Sequence, residues 1–286
     1  MQLRNIVVVA LTGCFLLSAS AAFAKKDKHR ARSFYASWGY NEEWYTKSTV
    51  HVKQSDLGNN YDLLHVHGQD HKGWDSKSVF KQALTIPQYN YRLGCYFNKK
   101  QDLAIELNFD HTKYIITDGQ TIHLKGSINH SATNENITFS EANGFYYYLN
   151  NGANFFLFNL VKRVGLYNTV SNNLRIDLTG KAGIGPVIPH VQNSFFGQAN
   201  KQQFQFGGWN TGIETALRVT FLKYVYLEFS QKVDYARYSH LEIYHGRASQ
   251  NFGCYELILS VGAIVPTTPH NFMFYKEHTT NVVVEE

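Results

Sequence analysis

The residues best suited to chemistry in this chain are its histidines, and their spacing decides what they can do. In the segment YHGRAS, His245 and Ser249 lie four positions apart. A serine nucleophile needs an imidazole within hydrogen-bond reach to take its proton. No His in the sequence has Ser two positions later, the spacing that would set the pair on one strand face. Asp110-His111 is an adjacent acid–imidazole pair, but neighbours on a strand point to opposite faces. The segment DLLHVHGQDHKGWD places His65 and His67 two apart, with His71 and several Asp nearby. Two imidazoles on one face can share a metal. A third ligand at defined spacing is missing, so His65, His67 and His71 are weak metal candidates. The expectation is no metal, no cofactor and no catalytic residue.

A larger population of chemically capable residues is charged: Arg92, Glu106, Asp110, Arg175, Asp177, Lys181, Glu214, Arg218, Glu228, Lys232, Asp234 and Glu256. Each lies in a segment with period-two alternation, so the strands that would position them come next. In VYLEFSQKVDY, Val225, Leu227, Phe229, Val233 and Tyr235 alternate with Tyr226, Glu228, Ser230, Lys232 and Asp234; only Gln231 breaks the apolar side. Such a strand has two unlike faces. In a soluble sandwich the oily face is the core. In a membrane barrel it meets lipid, and the charges point into the lumen.

Similar segments begin at RSFYASWGY, QYNYRLGCYF, DLAIELNFDHTKY, ANFFLFNLVKRVGLY, LRIDLTGKAGIG, WNTGIETALRVTF and CYELILSVGAIV. With the first, these predict eight strands. Most match the ~9–11 residues a tilted strand needs to cross a bilayer better than the ~5–6 of an average soluble strand. The connections at 98–102, 167–172 and 222–223 are short. Those at about 115–151, 186–202 and 239–250 are long and polar. Alternating tight turns and long loops characterise transmembrane barrels. The first long connection, about 46–84, holds STVHVKQ and YDLLHVH. They are expected to pair as a hairpin above the membrane; if they entered it, the count would be ten.

The N-terminus, MQLRNIVVVALTGCFLLSASAAFA, has Arg4, then an apolar run, then Ala22-Phe23-Ala24. This predicts a secretory signal peptide over 1–24 and a polar arm over 25–32. LTGC also fits a lipobox that would leave Cys14 lipidated, and an uncleaved anchor is a third option. Cleavage would leave Cys95 and Cys254, expected unpaired and too few for a disulfide scaffold. Nineteen Tyr, 20 Phe and four Trp make the chain strongly aromatic, and only five Pro leave strands uninterrupted. The net charge of +5 is mild and unfocused, which argues against nucleic acid as a partner. The aromatic groups Trp38, Tyr40, Trp44, Tyr45 and Phe145 to Tyr148 suit interfacial girdles.

Three stretches carry a resemblance: SFYASWGYNEEWYTKS; LTIPQYNYRLGCYFNKKQDLAIELNFDHTKY; and the closing region from GWNTGIETALRVTFLKYVYLE to LSVGAIV. Over about half of the chain after the leader, they resemble uncharacterised outer-membrane β-barrel proteins of Gram-negative bacteria. The resemblance implies an outer-membrane location, with membrane lipid and lipopolysaccharide as partners. It supplies no reaction and no surface ligand. Many such barrels end on an aromatic residue of the last strand, whereas here PTTPHNFMFYKEHTTNVVVEE follows Val265. The expectation is an all-β, antiparallel up-and-down transmembrane β-barrel over 33–265 and a C-terminal tail over 266–286. The leading function is non-enzymatic, structural or contact-making through extracellular loops. A narrow channel is the alternative, and a lipid-modifying enzyme the second.

Overall fold

The computed structural model describes residues 33–73, 88–98, 100–149, 152–171 and 173–266. The expected signal peptide, the polar arm and the tail beyond Pro266 lie outside them. The strands are β1 (Ser33–Tyr45), β2 (Ser48–Gln54), β3 (Asn59–Val66), β4 (Gly68–Asp70), β5 (Tyr89–Tyr96), β6 (Leu103–Asp110), β7 (Tyr114–Ile116), β8 (Gln120–Ile128) and β9 (Ser131–Phe139). They continue with β10 (Tyr146–Leu149), β11 (Phe155–Asn168), β12 (Leu174–Val187), β13 (His190–Phe195), β14 (Gln198–Ala199), β15 (Gln203–Phe204), β16 (Gly208–Phe221), β17 (Val225–Ile243) and β18 (Gly246–Pro266).

Eight of them close a ring in sequence order: β1, β5, β6, β11, β12, β16, β17 and β18, with β18 pairing back onto β1. Every pairing in the ring is antiparallel. This is an up-and-down barrel, and closure leaves its strands no open edge. Its outer surface is apolar: Leu93, Ile105, Phe158, Leu160, Leu227, Phe229, Leu259 and Val261 are all exposed. Aromatics ring the end away from the short turns, where Phe109 packs on Phe156, Trp209 on Tyr235 and Trp44 on Tyr255. The inner surface carries the charges. Backbone room inside comes partly from glycine: a Cβ on Gly94 would fall 2.0 Å from the Tyr35 ring.

β2 and β3 form an antiparallel hairpin outside the ring, which fixes the membrane count at eight rather than ten. The hairpin hangs on the upper half of β18 through Gln250↔Val50 and Ala248↔Val52. β8 and β9 extend the same sheet. A second sheet, ordered β14-β13-β10-β7-β4, packs beside it. Between them Val50, Val52, Leu63, Ile122 and Leu124 meet Tyr114, Ile116, Tyr147, Leu149, Val191 and Phe195, all buried.

The long polar connections are therefore not extended loops. Much of 115–151, 186–202 and 239–250 is strand, folded into a cap with an apolar core above the barrel. The aromatic girdle expected at 145–148 is also revised: Phe145 and Tyr147 lie in the cap core. Tyr45 packs there as well, edge-on to Tyr114 and Phe252. Tyr rings bury as readily in a sandwich as they sit at an interface, so composition alone did not separate the two. β18 reaches Pro266, one residue past the expected barrel boundary.

Candidate functional site

The lumen is the best-defined polar site. Period two on each ring strand turns alternate residues inward, and the register sets opposite charges side by side. One row alternates in sign, Lys181↔Glu214↔Lys232↔Glu256, across four neighbouring strands, and then sets two carboxylates side by side at Glu256↔Glu43. Below it runs Asp177↔Arg218↔Glu228.

Side-chain contacts join these rows into a network. Lys181 Nζ lies 2.9 Å from Glu228, 3.1 Å from Glu214 and 3.3 Å from Glu106. Arg92 reaches across the lumen to Glu214 at 2.7 Å and to Glu106 at 3.2 Å. Arg218 Nε donates to Glu228 at 2.6 Å, and another of its nitrogens donates to the Tyr96 hydroxyl at 3.0 Å. Nearer the cap, Lys232 is shared by Asp110 at 2.5 Å, Asp234 at 2.8 Å and Glu256 at 3.2 Å. Arg175 pairs with Asp177 at 2.8 Å. Of the twelve charged residues singled out by alternation, eleven are buried inside the ring: six join around Arg92 and Lys181, four around Lys232, and Asp177 is held by Arg175. Arg175 is half-buried at the turn end.

Further members were missed by sequence reasoning. Glu43 is buried, accepts from Asn41 at 2.5 Å and is bonded by the Tyr45 hydroxyl. Its parity on β1 was the available signal, had that strand been extended past Tyr40. Arg163 is buried over the Tyr96 ring, 4.3 Å from its centroid. Its strand reads as oily on both faces, which hid the parity. Tyr35, Tyr96 and Tyr226 fill the lower lumen; Arg218 lies 4.1 Å from the Tyr226 ring centroid and 4.9 Å from that of Tyr35. Tyr35 donates to Glu106 at 2.7 Å.

The arrangement sets most of the buried charges against opposite ones. Opposite charges ~4 Å apart gain about 4 kcal/mol at an effective dielectric near 20. Taking both out of water costs several kcal/mol per ion, so the pairs offset each other's burial rather than adding a large surplus.

The histidine candidates are not brought together. His65 is exposed at a bulge in β3 with φ 56°. His67 is exposed and its Nδ1 lies 3.2 Å from Thr117 Oγ1. Among the described residues no group of three His, Cys, Asp or Glu is placed to hold a metal. Asp110 points into the lumen, while His111 stacks on Tyr89 outside it, 4.7 Å between rings. His245 sits at the turn between β17 and β18, while Ser249 lies on β18 opposite His51. At the junction of barrel and cap, the Glu43 backbone N–H donates to Asp70 on β4 at 2.9 Å. Burial is the main cause that pushes the Asp70 carboxyl up to about 7.

A closed antiparallel ring, apolar outside, charged and filled inside, with tight turns at one end and folded connections at the other, defines a transmembrane β-barrel of the outer-membrane type. Solved structures similar to the chain include Ail, the attachment invasion locus protein of Yersinia pestis, in complex with the heparin analogue sucrose octasulfate. It is 13% identical, with a TM-score of 0.33 over 82% of this chain and 99% of that one. The outer membrane protein OprG from Pseudomonas aeruginosa is 8% identical, with a TM-score of 0.38 over 82% of this chain and 97% of that one. The outer membrane protease OmpT from Escherichia coli is 8% identical, with a TM-score of 0.28 over 85% of this chain and 99% of that one. Scores this low carry no argument about role, and the class rests on the strands themselves. No protein-family model and no curated protein matches the chain in sequence.

Proposed function

We propose that this outer-membrane barrel acts as a non-enzymatic platform: the ring anchors and the cap makes contact with whatever meets the cell surface. One observation carries this reading. Inside the ring lie a buried ion-pair network and three tyrosines, and above it a cap with its own apolar core. An eight-stranded ring is just wide enough for side chains to fill, so the fill is a structural plug. A preformed cap offers a fixed surface, which lowers the ordering cost of contact relative to long flexible loops.

The test is conductance. The purified protein in planar bilayers is expected to show no steady ion current. Reproducible open-channel currents that change on neutralising Arg218 or Glu228 would replace the plug with a pore and make the narrow channel the function.

A further inference from the structure

The end of the barrel with the short turns holds a cleft of about 40 Å³, lined by Gln101, Arg163, Asn168, Arg175, Thr220, Lys223 and the apolar Ile264. A single water needs roughly 10–15 Å³ on this measure, so the cleft takes a group of a few heavy atoms. Its position follows from the topology. Gln101 lies in the turn before β6, Asn168 ends β11, and Lys223 lies in the turn between β16 and β17. All belong to the short connections, on the periplasmic side.

The cleft is unlike the lumen above it. Arg92 and Arg218 in the lumen each meet a carboxylate within 2.7 Å. Arg163 is just as buried, at 4% exposure. It donates to the Gln101 carbonyl and stacks on Tyr96, and among the described residues no carboxylate pairs with it. Its buried Nε–H has no partner among the described residues. Thr220, 3% exposed, lines the same cleft with a buried hydroxyl that also lacks a partner among the described residues. Arg175 and Lys223 add two more cations; of the nearby carboxylates, Asp102 is paired with Lys162, and Asp177 is bonded to Arg175 through Oδ1, its buried Oδ2 having no partner among the described residues. A buried cation without an anion is costly, and so is a buried donor without an acceptor. Both deficits are met by one small oxyanion.

We propose that this periplasmic cleft binds a phosphate group, with Arg163 and Thr220 as buried donors and Lys223 as an exposed cation beside them. The group's tetrahedral oxygens suit several donors converging from different strands. It comes either from an inner-leaflet phospholipid headgroup or from free phosphate. The site lies below the lumen plug and does not depend on the cap.

The test uses the full chain, folded in detergent micelles. Calorimetric titration with inorganic phosphate is expected to show one saturable site. Lys223→Gln, in an exposed turn and safe for folding, should weaken it about ten-fold, the loss of one charge-assisted contact. Arg163→Gln should abolish it, and Thr220→Val should weaken it at unchanged thermal stability. A second arm places the protein in nanodiscs with or without phosphatidylglycerol and counts retained lipid by native mass spectrometry. Retention that falls in Lys223→Gln identifies the headgroup as the source; phosphate binding indifferent to phosphatidylglycerol identifies the free ion. The site is overturned if wild type binds neither phosphate nor anionic lipid, or if Lys223→Gln and Arg163→Gln both bind like wild type.

Discussion

β17 passes through two different proteins in one strand. From Val225 to Tyr235 its outward residues are apolar except Gln231, and its inward residues are Tyr226, Glu228, Ser230, Lys232 and Asp234. Beyond Ala236 the faces exchange roles: Tyr238, Leu241 and Ile243 are buried in an apolar core, and Arg237, His240 and Glu242 face outward. A bulge between Tyr238 and Leu241, where His240 takes φ 59°, resets the parity. The lesson is that a strand's inside is set by what surrounds it. Below, the solvent is lipid and the interior must satisfy charge; above, the solvent is water and the interior must exclude it.

The sharpest break of that comparison is Lys232→Met. In the lumen it strands Asp110, Asp234 and Glu256 without their shared cation. The expected loss is about 3–5 kcal/mol, read as a shift in the urea unfolding midpoint in lipid vesicles or as failure to insert. A neutral result would mean that water reaches these carboxylates. In the cap the equivalent injury is apolar. Leu63→Ala opens a cavity in a fully buried position and should cost about 2–5 kcal/mol. Hydrogen exchange should rise in β2, β3 and β8 while the amides of β5 and β12 stay protected. Uniform loss of protection would show that cap and barrel unfold as one unit.

The lipid face is probed at Leu227, 45% exposed on the ring. Leu227→Arg should cost about 2–4 kcal/mol near the midplane, whereas Ser230→Arg, turned inward among carboxylates, should still insert if its volume fits. A cysteine at 227 should react with a lipid-soluble probe and resist a water-soluble one. Reaction with the water-soluble probe in the folded protein would reverse the orientation of every ring strand.

The smallest effect is a pH dependence at the junction. Asp70 holds its proton up to about 7 in the fold, chiefly through burial, against an ordinary value of 3.8. Between those values the unfolded chain binds fewer protons than the folded one, so stability falls as pH rises through that window. Thermal unfolding should show a higher midpoint at pH 5 than at pH 8, and Asp70→Asn should flatten the slope. An unchanged slope would assign the dependence to other groups.

The barrel was legible because its strands keep strict alternation for eight residues or more, and a register slip would turn charges toward lipid. The cap was not, beyond the hairpin of β2 and β3. The rest of its core comes from brief pairs such as Ile122 with Leu124, embedded in polar sequence, and from Tyr147 and Leu149, in an aromatic run that reads as a girdle. Two apolar residues at i and i+2 are too few to distinguish a strand from a loop, and only packing against a distant sheet decides it. Arg163 was obscured for the opposite reason: Leu157 and Val161 face inward on its strand, so both faces look oily.

The attachment of β2 to β18 has a temporal consequence. Ser48 and Gln250, bonded at 2.9 Å, are 202 positions apart. β2 leaves the chain early and finds its ring-side neighbour only when the closing strand arrives, so the first sheet of the cap is tied to the end of barrel assembly. Contacts this distant in sequence are slow to form, because the intervening chain must be ordered before they reward it. Until then the β2–β3 hairpin carries an unpaired edge, the kind of surface that chaperoned transit across an envelope exists to shield. The last strand therefore seals two compartments in one event, the membrane ring below and the sandwich above.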